Sequence, residues 1–214
     1  MMNPVMQEAP SELMGTIAVM GFSAEDRLRA VARALSQRDL TGLSKAAERS
    51  DMLSRLRAEI ERQIVDEMAK PTVGTRARHK LVLASQVAVM FERMGSQTVE
   101  IAQLCAQVVR EPRQSRVTEL RKLIEHAVYI TDRAATGLVE EELEMARIAI
   151  EQKRTATELN IRINRDLANR VDACGESAVR ADLLCRIACK AHGIIEEAGL
   201  LAHQVVEFLE KHDH

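Results

Sequence analysis

The chain has 214 residues, 46% of them hydrophobic and 29% charged, with 30 basic against 32 acidic side chains for a net charge of −2. That is the composition of a folded chain with a sizeable core, built from aliphatics and Met because aromatics make up only 2% and Trp is absent. Interspersed, near-neutral charge gives no long-range field for nucleic acid, and few aromatics leave nothing on which bases could stack, so no nucleic-acid partner is expected.

Residues 1–10 read as an N-terminal tail without the basic-then-apolar order of a signal peptide. Ser11 behind Pro10 is a suitable N-cap for a helix over about 11–37, which "GFSAED" (21–26) could kink. Asp39 can cap a second helix, to about residue 70, where "KPTVGT" stops and restarts the chain. Further helical stretches cover about 76–110, 116–136, 139–172 and 178–211, separated by "EPRQS" (111–115), the weaker break "ATG" (135–137) and "DACGES" (172–177).

Within these stretches apolar residues recur three and four apart, as in Leu53, Leu56, Ile60 and Ile64, and strict alternation is missing. Helices of ~30 residues are ~45 Å long, too long to wrap a globule. The expected fold is all-α, an elongated six-helix bundle. No apolar run approaches the length that spans a membrane. The cysteines Cys105, Cys174, Cys185 and Cys189 show no disulfide-framework spacing, so a reduced, cytoplasmic protein is expected.

The chain also repeats itself at a shift of 103 residues. Leu35 falls on Leu138, Asp39 on Glu142, Ala46 on Ala149, Leu56 on Leu159, Ile60 on Ile163 and Arg62 on Arg165. Two three-helix units follow, over 11–111 and 112–211.

For chemistry, the chain lacks a Gly-rich phosphate loop, G-x-S-x-G, H-E-x-x-H and the Glu-x-x-His of di-iron bundles. His79 beside Lys80 is a poor fit to histidine phosphotransfer. No enzymatic centre is expected. One stripe remains. Cys185, Cys189, His192, Glu196 and His203 are spaced 4, 3, 4 and 7 apart, which places them on one helix face. Cys and His suit zinc or iron, but donors on one straight helix need a second helix to enclose an ion. Alternatively the cysteines flank a core seam made by Leu184, Ala188, Ala191, Ile195, Ala198, Ala202 and Val205. Met90 and Met94, a turn apart, read better as core than as a binding surface. Gly95, in mid-helix, costs about 1 kcal/mol against Ala and points to a close approach there.

The stretch "MFERMGSQTVEIAQ" (90–103) resembles the signature of the PhoU family of phosphate-uptake regulators, roughly L-E-R-I-G-D-H-A-x-N-I-A-E. Glu92, Arg93, Gly95, Ile101 and Ala102 match it, with Phe91 for Leu and Met94 for Ile. Met20-Gly21, Ala34-Leu35 with Asp39, the helix around Asp51, and Pro71 extend the likeness. The resemblance implies a six-helix, two-repeat bundle. It also implies partners: the ATPase of the phosphate ABC transporter and the sensor histidine kinase of the phosphate regulon, through which the chain would be peripheral to the membrane. Exposed faces on six long helices leave room for a homodimer.

PhoU-like proteins carry a Glu-x-x-x-Asp metal motif on the third helix of each repeat. Here Glu92 is followed at that spacing by Ser96. In the second repeat a shift of 104 lays Leu200 on the Asp position, whereas a shift of 100 gives His192 and Glu196. The motif thus implies Glu92, His192 and Glu196 as metal candidates, and the stripe adds Cys185 and Cys189.

Overall fold

The computed structural model describes residues 11–48, 51–71, 73–110, 117–174 and 178–212. Seven α-helices follow one another within these residues: α1 (Ser11–Gln37), α2 (Leu40–Ala46), α3 (Met52–Met68), α4 (Thr75–Arg110), α5 (Val117–Val139), α6 (Leu143–Cys174) and α7 (Ala178–His212). The fold is an all-α bundle, as the periodicity predicts, with one helix more than expected.

The extra helix arises because the stretch 40–70 divides. Leu43 and Ala46 bury the short α2, and Asp39 caps it by accepting a hydrogen bond from the Thr41 N–H at 3.0 Å. The helix ends at Ala46, and residues 49 and 50 lie outside the described residues. The chain becomes helical again at Met52. The corresponding stretch in the second half, α6, is continuous over 32 residues.

The break expected at 135–137 is absent, and the stretch 21–26 is helical. α1 runs through "GFSAED" unbroken, and α5 runs through Ala135–Gly137 to Val139. Gly137 is buried: a Cβ there would stand 3.0 Å from the Ala146 amide nitrogen and 3.2 Å from the Glu142 carbonyl oxygen. The glycine lets α5 and α6 approach; it does not end the helix. The tail 1–10, the break at 111–115 and the Gly175–Ser177 part of the last break lie outside the described residues.

Two groups of helices share one core. In the first, α3 packs on α1 and α4, and α2 on the same two; in the second, α5, α6 and α7 pack on one another. The groups meet where α1 lies on α5 and α4 on α7. Long helices with broad apolar faces supply the filling: Leu13, Ile17, Met20, Leu28 and Leu35 from α1, and Leu81, Val87, Phe91, Met94 and Ile101 from α4, are buried. So are Ile187, Ala191, Ile194, Ala198 and Leu201 from α7. At 1.5 Å per residue α4 is about 54 Å long. No helix among the described residues is long and apolar enough to cross a membrane.

The offset of 103 recurs in the element bounds. α2 begins at Leu40 and α6 at Leu143; α4 begins at Thr75 and α7 at Ala178. Arg38 and Glu141, also 103 apart, are the two non-glycine residues with positive φ among the described residues, and both have φ 54°. Each closes the tight turn between the first and second helix of its half.

Candidate functional site

The stretch "ERMG" occupies a single turn of α4, and its four residues face three directions. Met94 is buried in the core. The Arg93 guanidinium reaches the Glu197 carboxylate of α7 at 2.7 Å. Glu92 and Gly95 face α3. There the missing Cβ of Gly95 makes room for the Leu53 side chain, the close approach that a mid-helix glycine predicts. Met90 is buried as well, so both methionines are core.

Glu92 is fully engaged. Its carboxylate accepts a hydrogen bond from the Ser54 hydroxyl at 2.6 Å and another from the Arg57 guanidinium at 2.7 Å. The hydroxyl first, then the guanidinium, hold its carboxyl below the usual carboxylate range. Arg57 also donates to Glu61 at 2.8 Å, and its own pKa rises through Glu92 and Glu61. Ser96, where the family signature has Asp, turns its hydroxyl back to the Glu92 carbonyl of its own helix at 3.2 Å. A polar groove of about 340 Å³ opens alongside, with Arg27, Asp51, Ser54, Glu92, Ser96 and Glu100 in its wall. Of these, Glu100 pairs with Lys190 of α7 at 2.8 Å, and Asp51 lies 3.9 Å from Arg55.

On α7 the stripe descends beside α6. The Cys185 thiol donates to the Asn164 side-chain oxygen at 3.0 Å and is half-buried; burial, then the neighbouring Cys189, pushes its pKa up. Cys189, one turn on, is exposed. His192 Nε2 stands 3.3 Å from the Thr157 hydroxyl and 3.4 Å from the Glu196 carboxylate, whose other oxygen takes Lys153 Nζ at 2.7 Å. His203 is exposed. The seam beside the stripe is buried throughout: Leu184, Ala188, Ala191, Ile195, Ala198, Ala202 and Val205.

Thr157 lies 103 residues after Ser54. Ser54 holds Glu92 and Thr157 meets His192, so these contacts put His192 in the position that Glu92 takes in the first half. The glycines, by contrast, align at a shift of 104: Gly199 of α7 stands against Lys153 of α6 as Gly95 of α4 stands against Leu53 of α3.

The structure brings Cys185, Cys189, His192 and Glu196 together along α7. It leaves Glu92 apart from them, because Glu92 faces α3 and His192 faces α6. Among the described residues no group of three or more His, Cys, Asp or Glu side chains is placed to hold a metal ion. The donor set also does not fit the Glu-x-x-x-Asp metal motif that the family resemblance implies. Glu92 is neutralised by Arg57 and Glu196 by Lys153, so a cation would have to displace a guanidinium or an ammonium in each half.

Sequence reasoning alone missed Ser54, Arg57, Thr157 and Lys153. Each lies a helix away from the acid or imidazole it engages. For the two hydroxyls a signal was present, since the 103-residue shift pairs Ser54 with Thr157; it pairs Arg57 with Asn160 and Lys153 with Ser50, so nothing in it marked the two cations.

The PhoU domain family model matches residues 17–105. The chain is similar to the crystal structure of PhoU from Pseudomonas aeruginosa, with 15% identity and a TM-score of 0.87 over 94% of this chain and 96% of that one. It is similar also to that of the phosphate transport system regulatory protein PhoU from Streptococcus pneumoniae, with 12% identity and a TM-score of 0.83 over 92% and 93%. At these identities the likeness is one of fold. Among curated protein sequences none matches the chain. Residues 17–105 thus match the PhoU domain model, and the chain has the fold of these PhoU structures across nearly all of its length.

Proposed function

We propose that the chain is a non-enzymatic, cytoplasmic regulator of phosphate uptake and phosphate signalling. It acts by docking on the ATPase of the phosphate ABC transporter, on the sensor histidine kinase, or on both. The observation that carries the reading is the PhoU domain at 17–105 within a bundle of PhoU fold. The Streptococcus pneumoniae protein of the same fold is named a phosphate transport system regulatory protein. Long rigid helices suit the role. A docked bundle makes no bond; it shifts a partner between states by binding one of them more tightly. Lacking a spanning helix among the described residues, the chain would reach the membrane through its partners. The test is deletion of the gene in its own host, read as phosphate uptake and phosphate-regulon expression in phosphate-replete medium. The reading expects derepression; unchanged uptake and expression would count against it.

A second reading keeps a soft metal ion such as zinc or iron on α7. Its support is the pair Cys185 and Cys189, one turn apart on α7, with His192 on the next turn. Metal content of chelator-washed protein tests it. A held ion that is lost in Cys185→Ser, Cys189→Ser and His192→Ala favours the reading, and metal-free protein of normal fold removes it.

A further inference from the structure

A groove of about 580 Å³ runs between α1 and α5, lined by neither Glu92 nor any residue of the α7 stripe. Four guanidiniums line it: Arg29 and Arg33 from α1, Arg121 and Arg133 from α5. Only two carboxylates, Glu125 and Asp132, share the lining, and no lysine does. We propose that this groove binds a small anion carrying two or more linked phosphate groups, a phosphoanhydride.

The arginines are positioned and hold donors in reserve. Arg29 is held by Glu25 of its own helix. Arg121 lies 3.7 Å from Glu125 and 3.4 Å from the Ser36 hydroxyl, long contacts that an incoming oxyanion can replace. Arg133 is fixed on three sides: by Asp132 at 3.0 Å, by the Met145 sulfur at 3.2 Å, and by the Tyr129 ring, with its guanidinium carbon 5.2 Å from the ring centroid. Its Nε is buried and has no hydrogen-bond partner. Arg33 makes no ion pair or side-chain hydrogen bond among the described residues. A guanidinium has five N–H donors, so each of the four keeps donors free.

Size and chemistry select the ligand class. A concave site of a few hundred Å³ suits a small molecule. Arg in place of Lys favours oxyanions that accept two parallel hydrogen bonds, as phosphate does. Arg29 and Arg33 are one turn apart on α1, whereas Arg121 and Arg133 are twelve residues and about 18 Å apart on α5. Donors so spread match a chain of phosphates better than a single one. The floor between them includes Ala32 and Val128, both buried, which limits screening by water. The phosphoanhydride could be inorganic or part of a nucleotide, with the half-exposed Tyr129 ring available to a base.

The inference stands independently of the docking role. Titration calorimetry of the full chain with inorganic tripolyphosphate, and separately with a nucleoside triphosphate, tests it. The expected result is saturable one-site binding that outcompetes sulfate and weakens at least about tenfold in Arg33→Glu and in Arg121→Glu. Arg55→Glu, an exposed charge change on α3, is expected to leave binding intact, and circular dichroism checks that every variant is folded. Tighter binding of the nucleotide, with the advantage lost in Tyr129→Ala, makes the ligand a nucleotide; equal or tighter binding of tripolyphosphate makes it an inorganic chain. The proposal is overturned if neither anion binds saturably, if sulfate competes equally, or if Arg55→Glu weakens binding as much as the groove variants do.

Discussion

Arg38 and Glu141, 103 residues apart and both at φ 54°, reach opposite ends of the same helix. Arg38 donates to the Val109 carbonyl in the last turn of α4 at 2.8 Å. Glu141 accepts from Arg76 at 2.7 Å and from Lys80, in the first turns of α4. A cation at the carboxyl end and an anion near the amino end both suit the helix dipole. The two turns therefore clamp α4, the helix that carries "ERMG", between the halves of the bundle.

The backbone of these turns predicts a contrast between substitutions. Left-handed φ costs an ordinary residue roughly 1–2 kcal/mol and glycine nothing, and a β-branched residue fares worst. Arg38→Gly loses the bond to Val109 but gains backbone ease, so its stability should stay near wild type. Arg38→Val loses both and should fall about 2 kcal/mol below Arg38→Gly in urea unfolding. Equal midpoints for the two variants would deny the role of φ.

Arg57 and Ser54 should make Glu92 a pH-sensitive tie between α3 and α4. Its pKa in the fold lies below the ordinary 4.5. The stability it contributes is thus present in full above that value and is lost as pH falls through the lower folded value. Glu92→Gln should lower stability by about 1 kcal/mol at neutral pH and much less in acid, because the ion pair is partly exposed. A penalty that stayed constant from neutral pH to about pH 3 would contradict the assignment.

Glycine positions should separate by what stands beside them. Gly137→Ala drives a methyl toward backbone atoms of Glu142 and Ala146, which cannot swing aside, and should cost about 1–3 kcal/mol. Gly15 lies in α1 with nothing within 4 Å of an added Cβ, and Gly15→Ala should stabilise by about 0.5–1 kcal/mol. A thermal midpoint that rose in Gly137→Ala, as it should in Gly15→Ala, would refute the close approach of α5 to α6.

The thiols should differ in reactivity. Cys105 is fully buried, and burial pushes its pKa up to about 12. Cys189 is exposed. Short alkylation of native protein at pH 8, mapped by peptide mass, should label Cys189 and spare Cys105 until denaturant is added. The raised pKa also means that burial of Cys105 stabilises fully below pH 9, its ordinary value, and that this contribution is lost as the pH climbs toward 12.

Periodicity made the bundle legible. The three-four spacing of apolar residues located the long helices among the described residues, though it placed the start of α6 at about 139, four residues before Leu143. It did not show that residues 40–70 divide, because Leu53, Leu56 and Ile60 continue the apolar rhythm past the polar run at 48–51. It also misjudged Gly137: a glycine that ends a helix and one that admits a neighbouring helix look alike in sequence. The α7 stripe was readable because its residues share one helix. The partners of Glu92, and the arginines facing one another across α1 and α5, were not, since their proximity is made by packing between distant segments.

The central claim is that this bundle docks on the phosphate-uptake machinery. The most direct measurement is affinity purification of the full-length protein from its own host, grown with abundant and then with scarce phosphate, followed by mass spectrometry of what it retains. The account predicts that the transporter ATPase or the sensor kinase is recovered in at least one condition, with recovery changing between the two. Recovery of neither, at either phosphate level, from cells shown to express both, would contradict it.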